Sequence, residues 1–240
     1  MASRELLETV PAPPKTSKVG AAAHNRYRKG EETRERILDV ALKAFGEASL
    51  LAVTTRQIAQ AAEVSLPTLQ YYFGSKEGLY VACAEAIVAR YRSHTTGAAR
   101  EAVEALNGGC AHETARKHLK RVIGALAGFL VGSTDAAPWA HFVARELRDP
   151  GPAFEILYTS LWRPGVELTA RLIARIQGSD ERDPAARIQA LLLISGLLAF
   201  QSGRSVSLRA MQWSKIRHEE LAVVVSGLNA QIDAISRTQS

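Results

Sequence analysis

The 240-residue chain has two cysteines, Cys83 and Cys110. That is too few for a disulfide framework, and the reading that follows is a cytoplasmic protein. Long apolar runs are missing too. Val122–Gly132 and Ile188–Phe200 both fall short of the ~20 residues of a bilayer span, so they read as buried helices and no membrane partner is expected. Charges and prolines break Met1–Gly30, so no apolar signal core is visible there. The motifs of several enzyme classes are absent: there is no Gly-rich phosphate loop, no CxxC and no HExxH. His112 and His118 are six apart, which does not put them on one helical face for a metal. No catalytic residue, metal or cofactor is therefore expected. Strand-like alternation is not found anywhere, and the fold class is all-α.

What is present is an ordinary globular composition, 47% hydrophobic and 22% charged, with a net charge of +6. The charge suggests a polyanionic partner without locating it, because residues 1–80 carry 11 Lys/Arg against 9 Asp/Glu. Residues 1–30 lack apolar periodicity and read as a disordered basic tail. Between Pro11 and Gly30 stand five Lys/Arg (15, 18, 26, 28 and 29) and no acid. Such an arm suits phosphates or a minor groove; a solvated tail that only aids solubility is equally consistent with it.

From Glu32 the pattern turns helical. Ile37, Ala41 and Phe45, with Leu38 and Leu42 beside them, form one apolar stripe. A short second helix is expected at Thr55–Ala62, where Thr54 and Gln57 make a capping box. The connection Glu63-Val64-Ser65 leads to a third helix, Leu66–Phe73, capped by Ser65 and tolerant of Pro67 in its first turn. Gly74 ends that helix and Ser75 caps the next, which Lys76 opens. Two short helices joined by three residues, with a third before them, are a helix-turn-helix signature.

A helical wheel at about 100° per residue tests whether Leu66–Phe73 is suited to a DNA groove. Leu66, Leu69 and Phe73 fall on the core side, against Ile37, Phe45, Ile58 and Ala62. Pro67, Thr68 and Tyr71 point away, with Gln70 and Tyr72 on the flanks. A hydroxyl, an amide and two phenols fit contacts to base edges and phosphates. Arg56 and Gln60 share the outer face of the preceding helix, beside Gln57. Lys76 would meet a phosphate next to helix-terminal N–H groups. The DNA-facing set is thus Arg56, Gln57, Ser65, Pro67, Thr68, Gln70, Tyr71, Tyr72 and Lys76, within a head spanning residues 31–78. A plain helical hairpin with surface tyrosines is the competing reading.

Residues 33–80 resemble the DNA-binding head of TetR-type bacterial regulators. The matching residues are Thr33-Arg34, Ile37-Leu38, Ala41, Phe45, Thr54-Thr55, Ile58-Ala59, Ala62, Val64-Ser65, Thr68, Leu69, Tyr72-Phe73 and Ser75-Lys76-Glu77. Two positions depart from the pattern. Glu63 stands where the family usually has Gly before the Val-Ser of the turn, and Gln70 where it usually has Tyr. The segment QYYFGSKEGLY is closer to a subgroup with an amide at that place. Phe142–Pro150, then Pro152-Ala153-Phe154 and Arg163-Pro164, resemble the C-terminal domain of CecR-like regulators. The resemblance implies a repressor that binds a palindromic operator as a homodimer and releases it when a small molecule enters the C-terminal domain. Its two recognition helices would lie about one DNA turn (~34–36 Å) apart. A DNA-binding activator, an architectural protein without a ligand switch, and a helical interaction module are the alternatives.

Beyond the head, residues 79–240 read as a helical effector-binding and dimerisation domain. A long helix is expected to about His94, then a looser stretch to Gly109. Helices follow at 112–132, 135–148, 152–177, 184–203 and 214–236, with Pro164-Gly165 kinking or splitting the third of these. An effector cavity is expected to draw on Phe129, Trp139, Phe142, Arg145, Leu157, Tyr158, Leu161, Trp162 and Phe200, although large aromatics in helical domains are more often plain core. His141, Arg145 and Arg148 share a helix face suited to an anion or to solvent. The dimer is expected to form through 184–203 and 214–236, where Ala190, Leu191, Ile194, Leu197 and Leu198, and Leu221, Val225, Leu228 and Ile232, recur at helical spacing; burying both helices in one monomer is the alternative.

Overall fold

The computed structural model describes residues 18–132 and 136–236, with side chains described except for those of 18–27 and 136–138. No strand occurs among the described residues. The helices are α1 (Lys18–Glu47), α2 (Thr55–Ala61), α3 (Leu66–Phe73), α4 (Lys76–Asn107), α5 (His112–Leu130), α6 (Ala136–Arg148), α7 (Phe154–Leu157), a π-helical stretch (Tyr158–Trp162), α8 (Arg163–Gln177), α9 (Pro184–Gln201), α10 (Arg204–Ala210) and α11 (His218–Asp233).

Internal contacts divide the chain into two units, Met1–Arg36 and Ile37–Ser240. In the first, helix begins at Lys18, so residues 18–30 of the expected tail are helical; residues 1–17 lie outside the described residues. Three alanines after Gly20 are strong helix formers. The Arg28–Glu32 ion pair at i,i+4 (3.4 Å) and a Thr33 hydroxyl donating to the Lys29 carbonyl (2.8 Å) carry the helix through Gly30.

The second unit has one continuous apolar core. Its first helices start where the sequence provides caps. At α2, the Gln57 N–H donates to Thr54 Oγ1 (3.3 Å) and the Thr54 N–H to Gln57 Oε1 (3.0 Å), a complete capping box. Ser65 Oγ accepts from the Thr68 N–H (3.2 Å) at α3, and Ser75 Oγ from the Gly78 N–H (3.0 Å) at α4. Each such cap is worth about 1 kcal/mol.

The turn between α2 and α3 resolves the question of Glu63. The Val64 N–H donates to the Ala59 carbonyl (2.9 Å) and the Glu63 N–H to that of Gln60 (3.1 Å), a Schellman closure. Glu63 sits at its left-handed position with φ 53°. The geometry that glycine would supply is therefore kept, at a cost of roughly 1–2 kcal/mol for a residue with a Cβ.

Farther along, α4 is one unbroken helix to Asn107, not a helix to His94 with a loose sequel. Gly97 has open space around it and costs only about 1 kcal/mol against alanine, which the packing of α4 on α5 outweighs. The segment before Pro164 widens into the π-helical stretch, since proline has no N–H to continue the ladder. Region 152–177 is thus split, one turn earlier than Pro164 itself. Helix α10 was not expected. It follows Gly203 and has no side-chain cap to announce it. The most extensive pairings among the remaining helices are α4 with α5, α8 with α9, and α5 with α8 and α11.

Candidate nucleic-acid interface and effector cavity

Helix α3 is oriented by two anchors. Leu69 is fully buried and Phe73 nearly so, beside Ile58, Ala62, Phe45 and Ile37 of the same core. Leu66, expected in the core, is only half-buried, at the first position of α3. The opposite side presents Pro67, Gln70 and Tyr71, with Tyr71 84% exposed. Such exposure of a large aromatic is unusual and leaves its phenol and ring face available. Tyr72 is half-buried, its ring packed edge-on against Tyr71 with centroids 5.3 Å apart. Thr68 is also half-buried, and its hydroxyl hydrogen-bonds with that of Ser65 (2.7 Å), so both hydroxyls belong to the cap.

Arg56, Gln57 and Gln60 of α2 are exposed on the outside of the pair. Gln57 Oε1 is occupied by the cap, leaving its NH2 group for another partner. Lys76 Nζ donates to the Val53 carbonyl (3.3 Å), which ties the start of α4 to the loop before α2. An ammonium has three donors, so this contact leaves two N–H groups for an anion.

Tyr80 is a central contact between the head and the later helices. Its ring lies between Phe45 of α1 (centroids 4.9 Å apart) and Phe142 of α6 (4.7 Å). Its hydroxyl donates to Glu146 Oε1 (2.6 Å), and Glu146 Oε2 accepts from the Gly151 N–H (3.1 Å). Glu146 is 1% exposed. Burial, then the hydrogen bond to this carboxylate, raises the Tyr80 pKa well above the ordinary phenol value. Arg145 faces the same way: Nη2 donates to the Gly46 carbonyl (3.5 Å). Phe142, Arg145 and Glu146 therefore form a joint with the head. The first two were read as effector contacts, and the joint partners, Tyr80 and Glu146, were missed. No local signal marks this pair, whose members stand 66 residues apart.

Between α4, α5, α6, α8 and α9 lies a cavity of about 80 Å³. Phe129, Trp139, Leu161 and Trp162 line it, with Tyr91, Ile194 and Leu198. Phe129 and Trp139 stack at 4.6 Å. Of the other expected residues, Leu157 is fully buried in the core. Tyr158 is 42% exposed and stacks on Phe154, and Phe200 packs toward Trp213 (6.4 Å). A second, larger pocket of about 820 Å³ lies among α5, α6, α9, α10 and the start of α11. Both cysteines are free; Cys83 is buried, which pushes its thiol pKa up and leaves it inert.

Comparison with known proteins agrees with this arrangement. Residues 37–83 match the family model of bacterial regulatory proteins of the tetR family. Residues 115–237, just over half the chain, match the C-terminal domain of the HTH-type transcriptional dual regulator CecR. The chain is 29% identical over 212 residues to the dual regulator CecR of Shigella flexneri, covering 86% of this chain and 92% of that protein. It is 36% identical over 69 residues to the regulator BetI of Rhizobium meliloti (strain 1021), covering 29% and 34% of the two chains. Among solved structures, a TetR-like regulator from Rhodococcus sp. RHA1 superposes with a TM-score of 0.56 at 19% identity, covering 83% of this chain and 94% of that one. AibR, solved with isovaleryl coenzyme A and operator DNA, superposes with a TM-score of 0.57 at 12% identity, covering 83% and 97%. A TetR-type head and a CecR-type C-terminal domain on one all-α chain place this protein in the TetR family of DNA-binding transcriptional regulators, in its CecR-like branch.

Proposed function

We propose that the chain is a ligand-responsive repressor of the cytoplasm that holds a palindromic operator as a homodimer and releases it when a small molecule occupies the C-terminal helices. The observation that carries the DNA half is α3: two buried anchors, Leu69 and Phe73, hold Gln70 and Tyr71 outward. Gln70 is suited to a bidentate pair with adenine, Tyr71 to a thymine methyl or a phosphate, and Arg56 and Lys76 to the backbone.

The dimer half rests on α9 and α11. Helix α9 is apolar enough along its 18 residues to pass for a membrane span by length and composition, yet little of it is buried. Ile188 (57% exposed), Leu191 (48%) and Leu192 (68%) stand on it, and Val223 (54%) on α11. A second copy of the same face is the cover that suits a chain reading DNA through a two-fold site. Leu192→Glu should leave a folded monomer by analytical ultracentrifugation and weaken operator binding at least tenfold; an unchanged dimer would remove α9 from the interface.

The ligand half rests on the apolar cavity and on Tyr80, through which the helices around that cavity meet the head. An effector must bind the DNA-incompetent arrangement more tightly, or it shifts nothing. An activator is the second reading, favoured by the name of the Shigella relative, a dual regulator. The test begins with selection of bound sequences from random DNA and a genome-wide map of bound sites. On the selected sequence, Gln70→Ala and Tyr71→Ala should each lose about tenfold or more in affinity and relax base preference, given ~1–3 kcal/mol per good base contact. Lys76→Ala should weaken all sequences and lower the salt slope by about one. Unchanged affinity and specificity in all three variants would discard this face as the reader.

A further inference from the structure

The larger pocket is cationic on one side and apolar on the other. His141 of α6, Arg204 of α10, Lys215 and Arg217 of the α10–α11 connection, and His218 at the start of α11 all line it, and its described lining has no acid. None of the five has an acidic side chain within ion-pair distance among the described residues. The nearest acids in sequence are Glu219 and Glu220: Glu219 is exposed on the first turn of α11 and is not part of the lining, and Glu220 accepts from the Arg217 backbone N–H (2.7 Å), a hydrogen bond that, with Arg217 and Lys215 beside it, lowers its pKa. Arg204, Lys215 and Arg217 are like charges on one pocket wall, with Glu220 beside only the last two, so their repulsion is an arrangement that an anion relieves. The N-terminus of α11 adds its partial positive charge at the same place.

A second observation is independent of charge. Gln201 near the end of α9 is 8% exposed, and its Nε2 has no hydrogen-bond partner. A buried unpaired amide donor is costly and invites an acceptor. Gln201 lines both the cationic pocket and the 80 Å³ apolar cavity, as does Leu130. The two spaces therefore share a wall. The cavity holds about half the ~150 Å³ of an engineered apolar void that takes up benzene, which suits a short alkyl chain.

We propose that the two spaces form one site for an amphipathic organic anion, a carboxylate or phosphate monoester on a short alkyl chain. The head group sits among Arg204, Lys215 and Arg217, the Gln201 amide donates to an oxygen at its neck, and the tail enters the cavity beside Trp139 and Trp162. This deepens the ligand-responsive reading by naming the chemical class of effector, and it rests on that reading only for its effect on DNA.

The experiment is tryptophan fluorescence of the full chain in a Trp213→Phe background, which leaves Trp139 and Trp162 as reporters of the tail. The probes are n-alkyl carboxylates from butyrate to decanoate, the matching alkyl phosphates, and the matching alcohols. Anions should bind with a quench or shift and alcohols at least tenfold more weakly. Each added methylene should tighten binding about fourfold until the cavity is full, then stop doing so. Lys215→Gln and Arg217→Gln, both on an exposed connection, should each weaken the anions several-fold and leave the alcohols alone. Gln201→Leu should cost about tenfold. Alcohols binding as well as anions, or no response to any anion, would overturn the site. Preference between carboxylate and phosphate at equal chain length identifies the head group. Operator release is scored separately by fluorescence anisotropy of labelled DNA. Anion binding without release leaves the site standing and removes the ligand-release reading; release by some other compound with no anion binding does the reverse.

Discussion

The head and the C-terminal helices are stabilised over different lengths of chain. In the head, α2, α3 and α4 each begin with a side chain that accepts from the N–H three residues on. In the later part, α5, α7, α8 and α10 begin with no side-chain cap at all. Helices α9 and α11 keep local side-chain caps through Asp183 and Glu220, but the turn before α5 and the end of α11 are held by distant residues. Arg175 donates through Nε to the Cys110 carbonyl (2.6 Å) and through Nη2 to that of Gly109 (2.7 Å), closing the turn before α5. Arg116 donates to the Ile232 and Ile235 carbonyls at the C-terminus of α11, where the helix dipole favours a cation. Local closure makes the head readable and sturdy as a short segment. Distant closure ties the later helices to one another, so a change in one is felt across them.

The largest expected effect comes from breaking the place where the two regimes meet. Glu146→Ala removes a buried carboxylate and strands the Tyr80 hydroxyl and the Gly151 N–H, so a loss of about 3–5 kcal/mol is expected, read as a fall in Tm. Tyr80→Phe is milder in size and more informative about pH. Because the folded phenol pKa is raised, its contribution is fully present below the unfolded value of about 10 and fades as pH rises past it. The wild type should therefore lose more stability than Tyr80→Phe between pH 9 and 11 (about two units) in denaturant titrations; parallel curves would show that Tyr80 is not held as described.

Next in size is Arg116→Met, which keeps the length of the side chain and removes its donors. Arg116 is 15% exposed, and its loss leaves several α11 carbonyls without their partner. A cost of about 2 kcal/mol is expected. Hydrogen exchange should rise along α11 while α2 and α3 keep their protection. Equal loosening of the head would erase the contrast between the two regions.

The same contrast explains what was legible in the sequence. Caps at Thr54, Ser65 and Ser75 involve partners three residues away, so the spacing exposes them, and the buried side of α3 follows from a period of 3.6. The Tyr80–Glu146 hydrogen bond joins residues 66 apart, and Arg116 reaches 116 residues on. No local pattern marks such pairs. Arg145 shows the consequence: its spacing from His141 and Arg148 suggests an anion-facing stripe, but it turns to the Gly46 carbonyl, and the cations that join His141 come from α10 and the connection after it. Gly97 and α10 failed for the opposite reason, since packing overrode a weak local signal in one and no cap marked the other.

The smallest expected effect lies inside the head, at the one place where its local closure is imperfect. Among the described residues, α2, α4, α8 and α10 close alike, each through a residue at positive φ followed by an N–H that donates five residues back. At the end of α8, Gly178 has φ 73° and the Ser179 N–H donates to the Ala174 carbonyl (3.0 Å); at the end of α2, Glu63 has φ 53° and the Val64 N–H donates to the Ala59 carbonyl (2.9 Å). The longer bond matches, while the Gly178 N–H donates to the Ala174 carbonyl where the Glu63 N–H donates to that of Gln60. Glu63→Gly should therefore remove left-handed strain that its greater freedom in the unfolded chain offsets only in part, for a net gain of about 0.5–1 kcal/mol in chemical denaturation. Gly178→Ala should lose about 1 kcal/mol by the same argument run backwards. Glu63 is exposed and its removal also deletes a negative charge beside a DNA-facing helix. Operator affinity should rise modestly at low salt and this gain should shrink as salt increases. A stability gain without any change in the salt dependence would place Glu63 outside the reach of the phosphates and make it a matter of turn geometry alone.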